Sequence, residues 1–541
     1  MKFLFFFLIS YSFIGYGIII RNFLQLKIFD FGSLGILGLT FVSIISFLSS
    51  LFFYHGYVFN SIILLIGLLF LTFNIREIKN IKKEIFSHFL IFLILCLFIL
   101  IAKNHDDFPY YHFPYIALLA EFSHPIGIGQ LNNGFRSPSS IFFVSSLFNL
   151  PNVNIYLFHT LPAIILGFVN LILLNKIFDQ KIFRSKKIIN LLCLSSLIFI
   201  NIFFYRLSEH GTDRSGMILI ILAIIFLVSL VKDQKTVKNL DDMKILIILI
   251  CFVVTIKPFY LLSLLLLIVL FVYPSLRKKF LSLFFTRTFF YCSTLIISIV
   301  FYTFINTGCL IFPVSFTCFE NLQWSIDRQQ ITDIKVWFEL WSKAGANPNY
   351  IVEDRLNYIS QFNWISNWID NYFFNKVSDF LLGLVTLSLI LIIVFYNKYN
   401  YSFRNIKSFI PIYLIIFVLF LEWLWYHPTL RYGGYHLIFL LILIPINFLI
   451  SSKNFTFNFY FKRALSLVLI TFVIFIFRNY QRLNDEIKKY NFDPLVNSNF
   501  IFTEDKDFYF RYNIYIKENR KNFKMMNFGG KNFLITINKH D

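Results

Sequence analysis

The chain has 541 residues, 57% of them hydrophobic and only 14% charged, with a mean hydropathy of +0.69. That leaves too little charge to cover a water-facing surface and excludes a soluble globular protein. The net charge of +20 does not mark a nucleic-acid partner, because most Lys and Arg fall in short loops between apolar runs, the positive-inside pattern of membrane proteins.

Apolar runs of about 17–20 residues recur along the chain, each long enough to cross about 30 Å of hydrocarbon. The expectation is an all-α integral membrane protein of about 14 transmembrane helices. A multi-pass region spans residues 1–478, and a small polar tail or cap spans 479–541. Phe is abundant at 74 residues. It shares AT-rich codons with Ile, Asn and Lys, so aromatic stripes read as lipid-facing packing.

The opening MKFLFFFLISYSFIGYGIII resembles a signal peptide, but no small-residue cleavage site follows, so it reads as the first membrane helix. Basic loops at 75–84, 179–187, 231–244, 277–280, 397–407 and 453–463 are placed in the cytoplasm. Lysine-poor loops at 103–137, 206–214, 306–376 and 426–434 are placed outside, with the amino terminus and the tail. Residues 245–273 form one apolar run with basic flanks on both sides. Lys257–Pro258 should break it into a hairpin of two short helices, with Lys257 facing a cavity and not lipid.

The unusual residues collect in the external loops. KNHDDFPYYHFPY, 103–115, follows an apolar run and carries His105, Asp106, Asp107 and His112. Pro109 suits the first turn of a new helix, and YYHFPYIALLAEF reads as an amphipathic helix at the interface. A glycine- and asparagine-rich loop through Arg136 follows. The acids can cap that helix or activate a hydroxyl. RLSEHGTDRSG, 206–216, reads as a short loop with Asp213 and Arg214. WYHPTLRYGGYH, 425–436, sets Arg431 in a tight loop, where its fork suits phosphate. Cys309 and Cys318 are close enough to form a disulfide if the loop turns at Pro313. The tryptophans of 324–368 read as interfacial anchors. No cofactor is certain. No metal site is assigned, and a divalent cation stays an open option, since His and carboxylate can ligate one. In the tail, DFYFRYNIYI, 507–516, alternates like a strand.

His105-Asp106-Asp107, the segment YYHFPYIALLAEF and the loop through Arg136 resemble the GT-C superfamily of glycosyltransferases. That resemblance implies a polyprenyl-phosphate-linked sugar as donor and an inverting transfer on the outer face of a bacterial inner membrane. It also implies an envelope glycan, lipid or protein as acceptor. Asp106 or Asp107 would be the catalytic carboxylate. His105, His112, Arg136, Asp213, Arg214, Lys257 and Arg431 would bind substrate. The family usually has one helix before the acidic loop, where this chain has several. A polymerase or ligase using Arg328 or Arg355 is a second reading. A lipid-linked sugar flippase built on the broken run is a third.

Overall fold

A chain in hydrocarbon must satisfy its own backbone N–H and C=O groups, so its apolar runs become helices. The computed structural model describes residues 1–78, 80–101, 107–153, 155–232, 240–347, 350–396, 406–491, 493–495, 523–528 and 531–536. Among these residues, ten helices are long and apolar enough to cross a membrane, or up to eleven if the bent pair Pro258–Val272 and Pro274–Leu281 is one span. Two shorter apolar helices, Leu161–Ile177 and Ile410–Tyr426, accompany them. The protein is therefore a multi-pass membrane protein.

The first three helices, Lys2–Phe23, Phe31–Ser50 and Tyr57–Asn74, meet backbone to backbone. A Cβ on Gly38 would lie 1.7 Å from the Phe13 carbonyl oxygen, and one on Gly15 would lie 1.8 Å from that of Gly67. Only a missing side chain permits such an approach, the usual device of helix pairs in lipid. Gly211–Lys232 is almost wholly buried and sits at the centre, whereas Tyr57–Glu77 and Phe457–Lys489 are largely exposed and form the rim.

The helix ends sort into two groups. At one end, Arg21 pairs with Glu77, Lys244 Nζ donates to the Leu24 carbonyl at 2.8 Å, and Arg287 donates to the Phe23 carbonyl at 3.1 Å. At the other end, His124 N–H donates to the Ser50 carbonyl at 2.7 Å, and Asn306 donates to the Phe135 carbonyl at 2.9 Å.

Several sequence expectations change. Residues 206–214 do not form a loop: the helix Leu207–Lys232 starts there and kinks at Gly211 (φ 37°, ψ −102°). The supposed interfacial helix, Phe113–Glu121, is buried on every side from Phe113 to Ala120, because its sequence has no polar face to offer water. The large loop is shorter than 306–376, since a membrane-length helix begins at Ile365. Trp364 and Trp368 are buried within the protein, not interfacial anchors. The last helix, Phe457–Tyr490, passes the expected boundary at 478 by three turns. Strand pairing in the tail lies at Phe523–Phe528 with Lys531–Thr536, antiparallel, with Phe523 opposite Thr536. The segment 507–516 lies outside the described residues.

The break in the run 245–273 falls at Lys257–Pro258. The helix Asp241–Ile256 ends at an extended Lys257 (φ −156°, ψ 132°), and Pro258 opens the 3-10 helix Pro258–Ile268, which packs against the helix before it.

Candidate functional site

Four charged side chains from four separate segments meet at one place. Asp213 is their hub and is only 3% exposed. Lys257 Nζ donates to Asp213 Oδ1, and Arg431 Nε donates to Asp213 Oδ2. The same guanidinium turns Nη2 to Asp107 Oδ2. Among the described residues the set holds two cations and two carboxylates, whose formal charges cancel. That balance is what lets Asp213 stay buried, since an unpaired buried charge is heavily penalised. Lys257, Arg431 and Asp107 each keep roughly a quarter of their side chain exposed (22%, 24% and 23%), so the outer part of the network is open to a ligand.

Local sequence explains how each member reaches the others. The kink at Gly211 lies two residues before Asp213 and turns the start of that helix toward His112; a Cβ on Gly211 would sit 3.3 Å from the His112 ring. Pro258 has no N–H to continue a helix, and the extended residue before it frees the Lys257 side chain. Arg431 sits in the 3-10 turn Leu430–Tyr432, followed by Gly433 at φ 124°. Trp368 Nε1 donates to the Pro428 carbonyl and Trp423 Nε1 to that of Thr429, both at 2.8 Å. Leu430 N–H donates to the Tyr372 hydroxyl at 2.9 Å. Three aromatic side chains thus fix the loop that carries the arginine.

Tyrosines that the sequence reading did not single out surround the network. Tyr260 Oη donates to the Asp213 carbonyl at 2.5 Å, and Lys257 Nζ lies 5.0 Å from the Tyr432 ring centre. Tyr432 stands against Trp341 at 5.4 Å and His427 at 5.8 Å. Burial, followed by the charge of Asp213, pushes the Tyr111 phenol up, so it remains a donor. Burial, followed by the ammonium groups of Lys343 and Lys257, pushes His427 down to about 4, so that ring is neutral beside the cations. Position hints at one of these residues: Tyr260 follows Lys257 by three places.

Not every expected residue joins. His105 and Asp106 lie outside the described residues. His112 packs among rings, 4.4 Å from Tyr111 and 4.9 Å from Phe142. Arg214 lies over Phe204 and Tyr435 at 5.2 and 5.9 Å. Arg136 is buried and works as a clamp: its Nε donates to the Gly129 carbonyl at 2.9 Å and its Nη2 to Gln330 at 3.0 Å. It ties the loop after the buried Phe113–Glu121 helix to the late Arg328–Lys343 helix. Arg328 pairs with Glu320 on the surface and Arg355 is exposed, so neither reaches the network. Cys309 and Cys318 are joined as a disulfide. Among the described residues, no group of three His, Cys, Asp or Glu side chains could hold a metal ion.

Residues 1–439 match the family described as Domain of unknown function (DUF8201). The chain belongs to that family. The matched region contains all four members of the network and ends before the last helix. No curated protein and no solved structure matches the chain.

Proposed function

We propose that this chain is a GT-C-like membrane glycosyltransferase whose reaction centre is Asp107, Asp213, Lys257 and Arg431. The observation that carries the reading is the pairing of Asp107 with Arg431 beside the buried Asp213–Lys257 pair. A structural ion pair needs two groups. Here four groups converge at the end of a broken helix, three of them partly open to solvent.

The reaction would move a sugar from a polyprenyl phosphate to an acceptor hydroxyl of the cell envelope. The acceptor oxygen attacks the anomeric carbon, and the carbon–oxygen bond to phosphate breaks. Polyprenyl phosphate leaves with the electron pair, and the acceptor proton passes to a carboxylate or to water. Asp107 is the group that would orient and deprotonate the acceptor. Lys257 and Arg431 would meet the charge that grows on the departing phosphate. Attack from the face opposite the phosphate inverts the anomeric carbon.

Counting the ten long helices, the two shorter apolar ones, Asp241–Ile256 and Pro258–Val272 gives fourteen passes. With the basic loops in the cytoplasm, the network then faces outward, on the same side as the disulfide. The broken helix also supports a second reading, a flippase for the same lipid, because irregular backbone at membrane depth lines transport paths in many carriers.

The test is sugar transfer from radiolabelled polyprenyl-phosphate donors in membranes containing wild type or Asp107→Asn. Loss of turnover at unchanged protein level supports transfer. Full turnover in the variant overturns the role of Asp107. Lipid translocation without transfer would favour the flippase.

A further inference from the structure

An apolar cavity of about 330 Å³ lies apart from the four-residue network and shares no residue with it. Three elements wall it. The helix Asp241–Ile256 contributes Ile247 and Cys251, and the helix Arg287–Thr307 contributes Ser293 and Ile297. The short helix Pro274–Leu281 and the turn after it contribute Phe280 and Phe284. Pro274 has no N–H to continue the helix before it, and the chain turns through 120° between Pro258–Val272 and Pro274–Leu281. That turn brings Phe280 to the cavity wall, where its ring centre lies 5.6 Å from that of Phe284.

Depth decides what can fill this space. Arg287–Thr307 has 21 residues, about 31 Å at 1.5 Å per residue, which crosses the hydrocarbon once. The lining from Thr288 to Ile297 falls in the first half of that span, so the cavity belongs to one leaflet. It is the leaflet at the end where Lys244 and Arg287 hold the carbonyls of Leu24 and Phe23. The mouth faces sideways, since Phe284 is 42% and Ile297 65% exposed. Water there would find almost no polar partner, and an empty groove would forfeit the dispersion contacts of its lining. A hydrocarbon chain meets both conditions. Cations adjoin the lining in sequence: Arg277, Lys278 and Lys279 directly precede Phe280, and Arg287 directly precedes Thr288. Arg277 and Lys278 are exposed, and the sequence holds no acidic residue between Asp242 and Glu320. Lys and Arg at a membrane surface attract anionic headgroups.

We propose that this groove seats one acyl chain of an anionic glycerophospholipid, with the headgroup beside Arg277, Lys278 and Lys279. The apolar walls select hydrocarbon, and the basic turn of the short helix selects the charge of the headgroup. Anionic phospholipid is the species that a charged leaflet presents to such a segment in bulk. The site is independent of the transfer reaction proposed above and stands or falls without it.

The test uses the full chain in detergent, with phosphatidylglycerol or phosphatidylcholine of identical acyl chains added and read by native mass spectrometry. Phosphatidylglycerol carrying a diazirine in one acyl chain then locates that chain by crosslinking. The expected result is saturable binding that favours phosphatidylglycerol by about fivefold or more, with crosslinks in 247–251 and 280–297. Ser293→Phe puts a ring into the groove and should remove most of those crosslinks at an unchanged melting temperature. Arg277→Gln with Lys278→Gln and Lys279→Gln should erase the headgroup preference and leave the crosslinked positions in place. The triple variant keeps the test decisive where Ser293→Phe does not fold. Equal binding of the two lipids by wild type, crosslinks confined to other segments, or wild-type crosslinking in Ser293→Phe would overturn the assignment. So would displacement of phosphatidylglycerol by an equal concentration of undecaprenyl phosphate.

Discussion

The guanidinium of Arg431 bridges Asp107 and Asp213, one carboxylate at the solvent edge and one almost fully enclosed. The two acids share a partner but do not share a role. Asp213 is held by two cations, and Asp107 meets the far side of one of the same forks.

Asp107→Asn and Asp213→Asn should therefore fail differently. Asn at 107 leaves Arg431 paired with Asp213, so the protein should stay folded while transfer falls by about 10²–10⁴-fold. Asn at 213 takes the carboxylate from Lys257, leaves Arg431 with Asp107 on the other side of its fork, and should cost about 3–5 kcal/mol of stability. Thermal unfolding in detergent, measured beside transfer, separates the two: Asp213→Asn should lose both, Asp107→Asn only the second.

Gly211 holds a left-handed φ of 37° with the His112 ring 3.3 Å from where a Cβ would stand. Gly211→Ala should destabilise the protein by about 1–3 kcal/mol, because strain at such a backbone position adds to the contact. Combining it with His112→Ala removes the contact and leaves the strain, so the double variant should recover only part of the lost melting temperature. Complete recovery would place the whole cost in the contact.

Arg136 clamps two segments together. Arg136→Ala should cost about 1–3 kcal/mol through the hydrogen bonds left unmade to Gly129 and Gln330. The segment 308–347 should become easier to cut with protease, while the apparent affinity for donor stays near that of wild type. A large rise in donor KM with unchanged protease resistance would return Arg136 to the substrate.

His427 predicts a pH effect of definite sign. Its ordinary value of 6.5 falls to about 4 in the folded chain, first because it is buried and then because Lys343 and Lys257 repel a further positive charge. Above 6.5 the ring is neutral in both states and costs nothing. As pH drops from 6.5 toward 4, the unfolded chain gains a proton that the folded chain refuses, so stability falls, by about 3 kcal/mol at the limit. His427→Gln should flatten that part of the stability–pH curve, measured as the difference from wild type so that other buried histidines cancel.

The membrane class was legible because hydrocarbon demands long apolar runs, and the break at Lys257–Pro258 because proline cannot continue a helix. Asp213, Lys257 and Arg431 stood out as charges beside apolar sequence. Their meeting did not, because they lie 44 and 218 positions from one another along the chain. Gly, Thr, Asp and Ser made 206–216 look like a turn, yet one kinked glycine let the same residues begin a helix. The sequence also does not show that His112 packs among rings or that Arg214 lies over Phe204 and Tyr435.

The span between Asp107 and Arg431, 324 positions, also sets the order in which the molecule can be completed. Asp213 can meet Lys257 once the middle of the chain has left the ribosome, so its charge has a partner early. Asp107 must wait for a loop made 324 positions later. A truncated product would insert and pack much of its core, yet lack the residue that joins its two acids.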